Sequence, residues 1–119
     1  MKITRTFTTE GTSPYDAIEF RTACSEIRNP DGSVVFRADD IEVPSAWSQV
    51  AVDVLAQKYF RKAGIPTRLR PVDEPGVPEW LRRKEADEAA LADLPEDRRH
   101  GSETSAKQVF DRLAGTWTY

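Results

Sequence analysis

Residues 25–36 have the sequence Ser25-Glu26-Ile27-Arg28-Asn29-Pro30-Asp31-Gly32-Ser33-Val34-Val35-Phe36 and predict a β-hairpin. Pro30 presets φ at the second turn position, Asp31 can hydrogen-bond back to the backbone, and Gly32 tolerates the positive φ that closes the loop. The β-branched and aromatic residues after Gly32 favour a return strand. We therefore expect a hairpin over about 18–37, followed by a short further strand at 41–43.

The strand before this turn has a period-2 pattern that predicts its buried face. Ile18, Phe20, Thr22 and Cys24 stand at alternate positions, and alternate side chains of a strand point to the same side. We therefore expect Cys24 to face the core beside Phe20.

A helix is predicted over 46–63. Ser45 is its expected N-cap, and Gly64, followed by a proline, is its expected left-handed C-cap. Its apolar residues follow the i, i+3, i+4, i+7, i+8 spacing of one buried face; they are Trp47, Val50, Ala51, Val54 and Leu55.

A second amphipathic helix is predicted over 103–114. Ser102 is its expected cap and Gly115 its expected end. Residues 116–119 are expected to begin a β-strand. The shared apolar face of this helix consists of Ala106, Val109, Phe110 and Leu113.

The segment between the two helices is strongly charged. Residues 72–104 contain ten acidic and five basic side chains, a composition typical of a solvated surface segment or linker. Within it we expect a charged helix from about 78 to 91, anchored by Trp80 and Leu81. The fold class is therefore α+β.

Three regions are expected along the chain. Residues 1–71 form a hairpin-plus-helix unit that begins with an arm (1–17) and a short strand at 3–7. Residues 72–101 form the acidic linker or charged helix, and residues 102–119 form a helix that leads into whatever follows.

Composition excludes several classes of protein. The net charge of −3 argues against a nucleic-acid-binding protein, because such proteins usually carry a basic balance. A single cysteine, Cys24, excludes an internal disulfide. The N-terminus lacks the apolar core of a secretory signal, and no window reaches the ~20 apolar residues of a membrane span. A cytoplasmic protein with no membrane partner is expected.

Four isolated residues carry side chains that could take part in chemistry. Cys24 is either a redox thiol or a buried strand residue, and the strand interpretation is favoured because buried thiols often act as small hydrophobes. His100 lacks a second ligand at metal-binding spacing and is expected at the surface. Asp39 and Asp40 are adjacent, so their carboxylates should point apart and not work as a pair. No catalytic, cofactor-binding or metal-binding residue is therefore predicted.

A basic run with interleaved aromatic residues is the remaining binding candidate. Three interpretations stay open for it: phosphate or nucleic-acid contact, cations that balance a helix C-terminus, and docking on an acidic surface. The run consists of Lys58, Tyr59, Phe60, Arg61, Lys62, Arg68 and Arg70. The three tryptophans, which could stack on bases, are better interpreted as packing anchors; they are Trp47, Trp80 and Trp117.

Two windows resemble a known family. The first consists of residues 25–36, followed by Val43-Pro44 and residues 47–64. The second is residues 101–119 and includes Gln108-Val109-Phe110-Asp111-Arg112-Leu113-Ala114-Gly115-Thr116-Trp117-Thr118-Tyr119. Both resemble the N-terminal domain of the adenosylcobalamin-dependent (class II) ribonucleotide reductases. The resemblance lies in the order of the motifs along nearly the whole chain and is weakest over 67–100.

The resemblance implies part of a large enzyme. Such enzymes, here expected to act on ribonucleoside diphosphates, make 2′-deoxyribonucleotides for DNA synthesis. Adenosylcobalamin generates a cysteine thiyl radical inside a ten-stranded α/β barrel, and two further cysteines, which form one pair, supply electrons. A thioredoxin-like donor regenerates that pair. The expected partners of this segment are the remaining barrel and, through it, the ribonucleotide and the reductant.

The cysteine count limits what can be transferred from that resemblance. The chemistry needs three thiols, and this chain has one. The segment should therefore be structural, bind no cofactor and lack activity alone. The alternatives are a stand-alone module that binds nucleotides or nucleic acid and a ligand-free interaction domain.

Overall fold

The computed structural model describes residues 4–119 of the chain. Strands and helices are both present, as expected of an α+β fold. The strands are β1 (Phe20–Arg28), β2 (Val34–Pro44), β3 (Ile65–Pro66), β4 (Leu69–Pro71), β5 (Lys84–Ala86) and β6 (His100–Gly101). The helices are α1 (Gln49–Val54, continued by a π-helical turn over Leu55–Tyr59), α2 (Glu88–Ala92) and α3 (Ala106–Thr118). Short 3-10 turns lie at Pro14–Ala17, Glu79–Leu81 and Glu96–Arg98.

The predicted hairpin is confirmed and has the expected turn chemistry. The amide of Asn29 donates to the carbonyl of Ser33 at 2.8 Å, and the amide of Gly32 donates back to Asn29 at 2.9 Å. The Asp31 carboxylate accepts from the amide of Ser33 at 2.9 Å. Gly32 has a φ of +89°, a conformation that glycine adopts without steric cost.

The return strand is longer than predicted, because residues 41–43 continue β2 instead of forming a third strand. Ala23 pairs with Ile41 and Ser25 pairs with Ala38, so two residues of β2 lie opposite Cys24 alone. This arrangement is a β-bulge, and Asp40 at its centre has a φ of 54°. Residues on both sides of the bulge pair with β1, and a second irregularity between Ile27 and Arg28 skips Val35.

The buried face of β1 is the opposite of the one predicted. Ala23 and Ser25 are buried, whereas Cys24 is exposed. The period-2 pattern is compatible with burial of either face of β1. The apolar residues Ile18 and Phe20 favoured the face of the even-numbered residues, which is the wrong one. The helix packs on the other face because a small side chain at 23 allows close approach and Ser25 finds polar partners on α1.

The first helix is shorter than predicted at both ends. Ser48, not Ser45, caps it, and its hydroxyl accepts from the amide of Ala51 at 3.3 Å. The π-helical turn ends at Tyr59, so Gly64, despite its φ of +77°, lies in the loop before β3 and is not the C-cap. The buried positions are Val52, Leu55 and Ala56.

The charged helix predicted from 78 to 91 does not form. Residues 84–86 pair with β4, where Arg70 lies opposite Glu85 and its guanidinium forms an ion pair with that carboxylate at 2.7 Å. Only Glu88–Ala92 is α-helical, capped by the Asp87 carboxylate. Trp80 is 75% exposed and anchors no helix. Cross-strand pairing therefore prevails over helix propensity in this segment.

The second helix begins and ends later than predicted. Ser105, not Ser102, is the N-cap, in a capping box with Gln108. The helix continues through Gly115 to Thr118, which contradicts the predicted strand at 116–119. The hydroxyls of Thr116 and Thr118 donate to carbonyls one turn earlier, so these β-branched residues are accommodated within the helix.

The core lies where α1 and α3 pack on the hairpin. Its largest fully buried apolar side chains are Ile41, Val43, Val52 and Val109. The predicted strand at 3–7 falls partly on Ile3, outside the described residues, and residues 4–13 contain no strand. Within residues 4–119, no helix combines the length and apolar character needed to cross a membrane.

Candidate functional site

An apolar groove lies between α1 and α3. Its volume is about 440 Å³. Trp47 and Phe110 meet edge-to-face at one side of it, with ring centroids 5.7 Å apart. The lining residues are Trp47, Ala51, Val54, Leu55, Tyr59, Val109, Phe110 and Leu113.

The groove explains why the helix face predicted for α1 is only partly buried. Leu55 is buried, but Val54 is 47% exposed and Val50 is 72% exposed. The apolar stripe of α3 likewise runs on from Leu113 to Trp117, which is 82% exposed. The buried face predicted for α1 was therefore largely wrong: only Leu55 of it is buried, whereas Val52 and Ala56, which the prediction did not include, lie in the core.

A polar cluster between β1 and α1 supports one wall of the groove. The hydroxyl of Ser25, which is 1% exposed, donates to the Asp53 carboxylate at 2.7 Å and accepts from the Gln57 amide at 3.1 Å. Gln49 donates to the same carboxylate and to the carbonyl of Cys24, both at 2.9 Å. These bonds fix α1 on the hairpin.

A second cluster joins the end of the π-helical turn to α3. The Glu103 carboxylate is 5% exposed and accepts from the backbone amide of Arg61 at 2.8 Å. The Arg112 guanidinium donates to the same carboxylate at 3.2 Å and also to the carbonyl of Tyr59. The Glu103–Arg112 ion pair and its hydrogen bonds therefore connect the chain at Tyr59 and Arg61 to α3.

The 3-10 turn at 14–17 contacts the outer side of α3. The Tyr15 hydroxyl donates to the Asp111 carboxylate at 2.7 Å, and the Lys107 ammonium lies 4.4 Å from the centroid of the Phe20 ring. Burial, together with the hydrogen bond and charge of Asp111, raises the pKa of Tyr15 well above its usual value. The hydroxyl therefore stays protonated and acts as a structural donor.

Another ionic contact connects the acidic segment, residues 72–101, to Tyr119. The Glu74 carboxylate pairs with Arg83 and accepts from the Tyr119 hydroxyl at 2.9 Å. The hydrogen bond from Arg83, with a smaller one from Tyr119, lowers the pKa of Glu74 below its ordinary value. The acidic segment is thus attached to the fold by its own charges.

The structure brings none of the isolated candidate groups into a reactive arrangement. Cys24 is an exposed thiol opposite the bulge formed by Asp39 and Asp40. His100 is exposed on β6. Among the described residues, no group of three or more His, Cys, Asp or Glu side chains is placed to hold a metal ion.

The basic run is divided among separate contacts. Arg70 is paired with Glu85. The Lys62 ammonium donates to the carbonyl of Gln57 at 2.7 Å, near the helix end, and lies 5.4 Å from the centroid of the Phe36 ring. These contacts match the helix-terminus interpretation for Lys62. Phe60, Arg61 and Lys62 line one cavity of about 430 Å³, which also includes the acidic residues Asp39 and Glu103, whereas Arg70 is not among its lining residues. The structure therefore brings only part of the run together.

Sequence reasoning missed the residues that build these clusters. The capping box of Ser105 and Gln108 was visible as a Ser-x-x-Gln pattern. The contacts of Ser25 with Asp53 and of Glu103 with Arg61 join residues 28 and 42 positions apart. They depend on how the helices pack, and no local pattern indicates them.

Comparison with known proteins identifies the family. Residues 21–119 match the family described as class II vitamin B12-dependent ribonucleotide reductase. A vitamin B12-dependent ribonucleotide reductase from Agrobacterium fabrum is 66% identical over the whole chain, which covers 9% of that relative. The corresponding protein of Bradyrhizobium diazoefficiens is 64% identical over the whole chain, covering 10% of that relative.

A more distant relative matches a shorter stretch. The reductase of Streptomyces avermitilis is 41% identical over 70 residues, which is 57% of this chain and 7% of the relative. The chain therefore spans about a tenth of the length of the curated relatives that it matches throughout. It is an N-terminal portion that belongs to the class II vitamin B12-dependent ribonucleotide reductase family.

Proposed function

We propose that this chain is the non-catalytic N-terminal segment of an enzyme that reduces ribonucleotides, with diphosphates as substrates, to 2′-deoxyribonucleotides for DNA synthesis. In the complete reaction a dithiol loses two electrons and becomes a disulfide, while the 2′-hydroxyl leaves as water. The observation that carries this proposal is the match of the whole chain to reductases about ten times its length.

The placement of the reactive thiols outside this segment is supported by simple counting. The proposed reaction needs one cysteine for the radical and two for the disulfide, and this chain has only Cys24. That thiol is exposed on a hairpin strand and not in a cavity. A thioredoxin-like reductant would accordingly act on cysteines elsewhere in the polypeptide.

The groove between α1 and α3 offers adenosylcobalamin few polar partners. Its lining is mostly apolar, with the Tyr59 hydroxyl and the Trp47 indole N–H as its side-chain polar groups. Such a lining offers little to the many amide groups of a corrin ring, since buried polar groups need hydrogen-bond partners. We therefore assign the cofactor, in its adenosyl form, to the rest of the enzyme.

Within the enzyme, this segment would frame the barrel and make no contact with nucleic acid. Residues 1–71 and 102–119 would form the packed unit and residues 72–101 a charged surface excursion. The antiparallel pairing of β3 with β6, which brings the two ends of that excursion together, supports this division. We also propose a cytoplasmic location, where deoxyribonucleotides would be made.

The second candidate is a stand-alone nucleotide- or nucleic-acid-binding module built on the basic run. The arrangement of Arg70 and Lys62 in separate intramolecular contacts gives it little support.

The proposal is tested by assaying two proteins side by side. The full-length reductase and the isolated 119-residue chain are each incubated with ribonucleoside diphosphates, adenosylcobalamin and a dithiol reductant. We expect deoxyribonucleotide from the full-length enzyme only. Product from the isolated chain, or none from the full-length enzyme, would contradict the proposal. Binding of single-stranded DNA that weakens as salt rises would instead favour the second candidate.

A further inference from the structure

The groove and its surroundings form a continuous exposed apolar surface. Val54, Tyr59 and Trp117 are 47%, 51% and 82% exposed, respectively. Val54 and Tyr59 line the groove, and Trp117 continues the α3 stripe four residues beyond Leu113. Contiguous apolar surface of this kind is characteristic of interaction sites.

The chemistry of the lining specifies an apolar, uncharged occupant. The lining contains no charged side chain. Asp111 and Arg112, the charged neighbours of Phe110 on α3, bond instead to Tyr15 and Glu103. A charged group placed in the groove would therefore lose its hydration without gaining a partner, which is costly.

The groove walls are fixed by polar contacts before any occupant arrives. The Ser25–Asp53 hydrogen bond holds α1 on the hairpin, and the Glu103 carboxylate holds the end of the helical run against α3. A preformed groove binds without a large ordering cost.

We propose that this groove is the docking site for an apolar segment of the same polypeptide, supplied by the remaining nine tenths of the reductase. This inference rests on the proposed function. The full-length relatives are about ten times longer than this chain, so a tethered occupant is available. A tethered segment has an effective concentration of the order of millimolar, which favours it over a second copy of the protein.

The test uses two valines with the same exposed fraction in the full-length reductase. Val54 lies in the groove and Val34 lies on the hairpin, and each is 47% exposed. Val54→Cys and Val34→Cys are prepared separately and treated with a maleimide. Labelling of the introduced thiol is followed by peptide mass spectrometry, in native buffer and in denaturant.

We expect native labelling at position 54 to be at least about tenfold slower than at position 34, because an occupant protects the groove. The two positions should react equally in denaturant. Equal native rates would overturn the proposal.

Light scattering identifies the source of any protection. Protection at position 54 that persists in a monomeric sample supports an occupant from the same polypeptide. Protection found only in dimers would overturn the proposal in favour of a second copy.

The activity of the same preparation separates the two proposals. Deoxyribonucleotide formation with an unprotected position 54 overturns the docking inference and leaves the proposed function intact. Protection without deoxyribonucleotide formation by the unsubstituted enzyme supports docking and contradicts the proposed function.

Discussion

The buried carboxylate of Glu103 accepts a hydrogen bond from the backbone amide of Arg61 at 2.8 Å. This bond joins Glu103, which lies two residues before the N-cap of α3, to the chain that follows the π-helical turn. Arg112 contributes the opposing charge from the next turns of α3. Arg112 also donates to the carbonyl of Tyr59, so loss of the Glu103 carboxylate should weaken the packing of α3 on the end of the helical run.

Replacement of Glu103 by alanine should therefore destabilise the protein. The change leaves the amide of Arg61 and the guanidinium of Arg112 without their acceptor, and we expect a loss of about 2 kcal/mol in the free energy of unfolding. Urea denaturation measures it. Glu10→Ala, at an exposed carboxylate, is the control and should change stability by less than about 0.5 kcal/mol. Equal effects would contradict the structural role of Glu103.

Ser25 should be sensitive to the loss of a single oxygen. Ser25→Ala removes the donor to Asp53 and the acceptor of Gln57 from a buried position, and we expect it to cost about 1–2 kcal/mol. Ser102→Ala, at an exposed serine, is the matched control. If calorimetry gives both variants the same melting temperature as the unsubstituted protein, the polar cluster does not help to hold α1 on the hairpin.

Gly115 distinguishes the observed helix from a helix that ends at this residue. It lies inside α3, and a Cβ placed there meets nothing within 4 Å. Gly115→Ala should consequently stabilise the protein by about 0.5–1 kcal/mol. Gly76→Ala should have the opposite sign, because Gly76 has a φ of +86°. Destabilisation by Gly115→Ala in urea denaturation would place the helix end at 115.

The free energy of unfolding should fall in acid because the Glu74 carboxylate becomes protonated. Arg83 holds the pKa of this carboxyl below 4.5, its ordinary value, so the unfolded state binds the proton more readily than the folded state. The stabilisation is therefore complete above about pH 4.5 and is lost as the pH falls through the lowered pKa. Glu74→Gln should flatten the pH dependence of the free energy of unfolding below pH 4.5. An unchanged acid limb would contradict this assignment.

The elements that sequence predicted correctly have local causes. The turn at Asn29–Ser33 depends on Pro30 and Gly32 themselves, and the apolar spacing of Val109 and Leu113 defines the inner face of α3 directly. The family match also follows from the order of such local motifs. Each of these features is encoded within a few neighbouring residues.

The elements that sequence predicted wrongly depend on distant contacts. The buried face of β1 is selected by Asp53 and Gln57 on α1, which bond to Ser25. The helix expected at 78–91 is replaced by β5, because Glu85 finds Arg70 across a strand pair. The groove could not be predicted for a similar reason. The spacing of Val54 is that of a buried helix face, but spacing does not show which residues, if any, pack against that face.

The central claim is that this segment supplies no reacting group to the enzyme, and Cys24→Ser in the full-length reductase tests it most directly. The exposed thiol is the single cysteine of the chain. With adenosylcobalamin, a dithiol and a ribonucleoside diphosphate, we predict kcat and KM within about twofold of the unsubstituted enzyme. A fall in kcat of about a hundredfold or more, with the enzyme still folded, would contradict the claim.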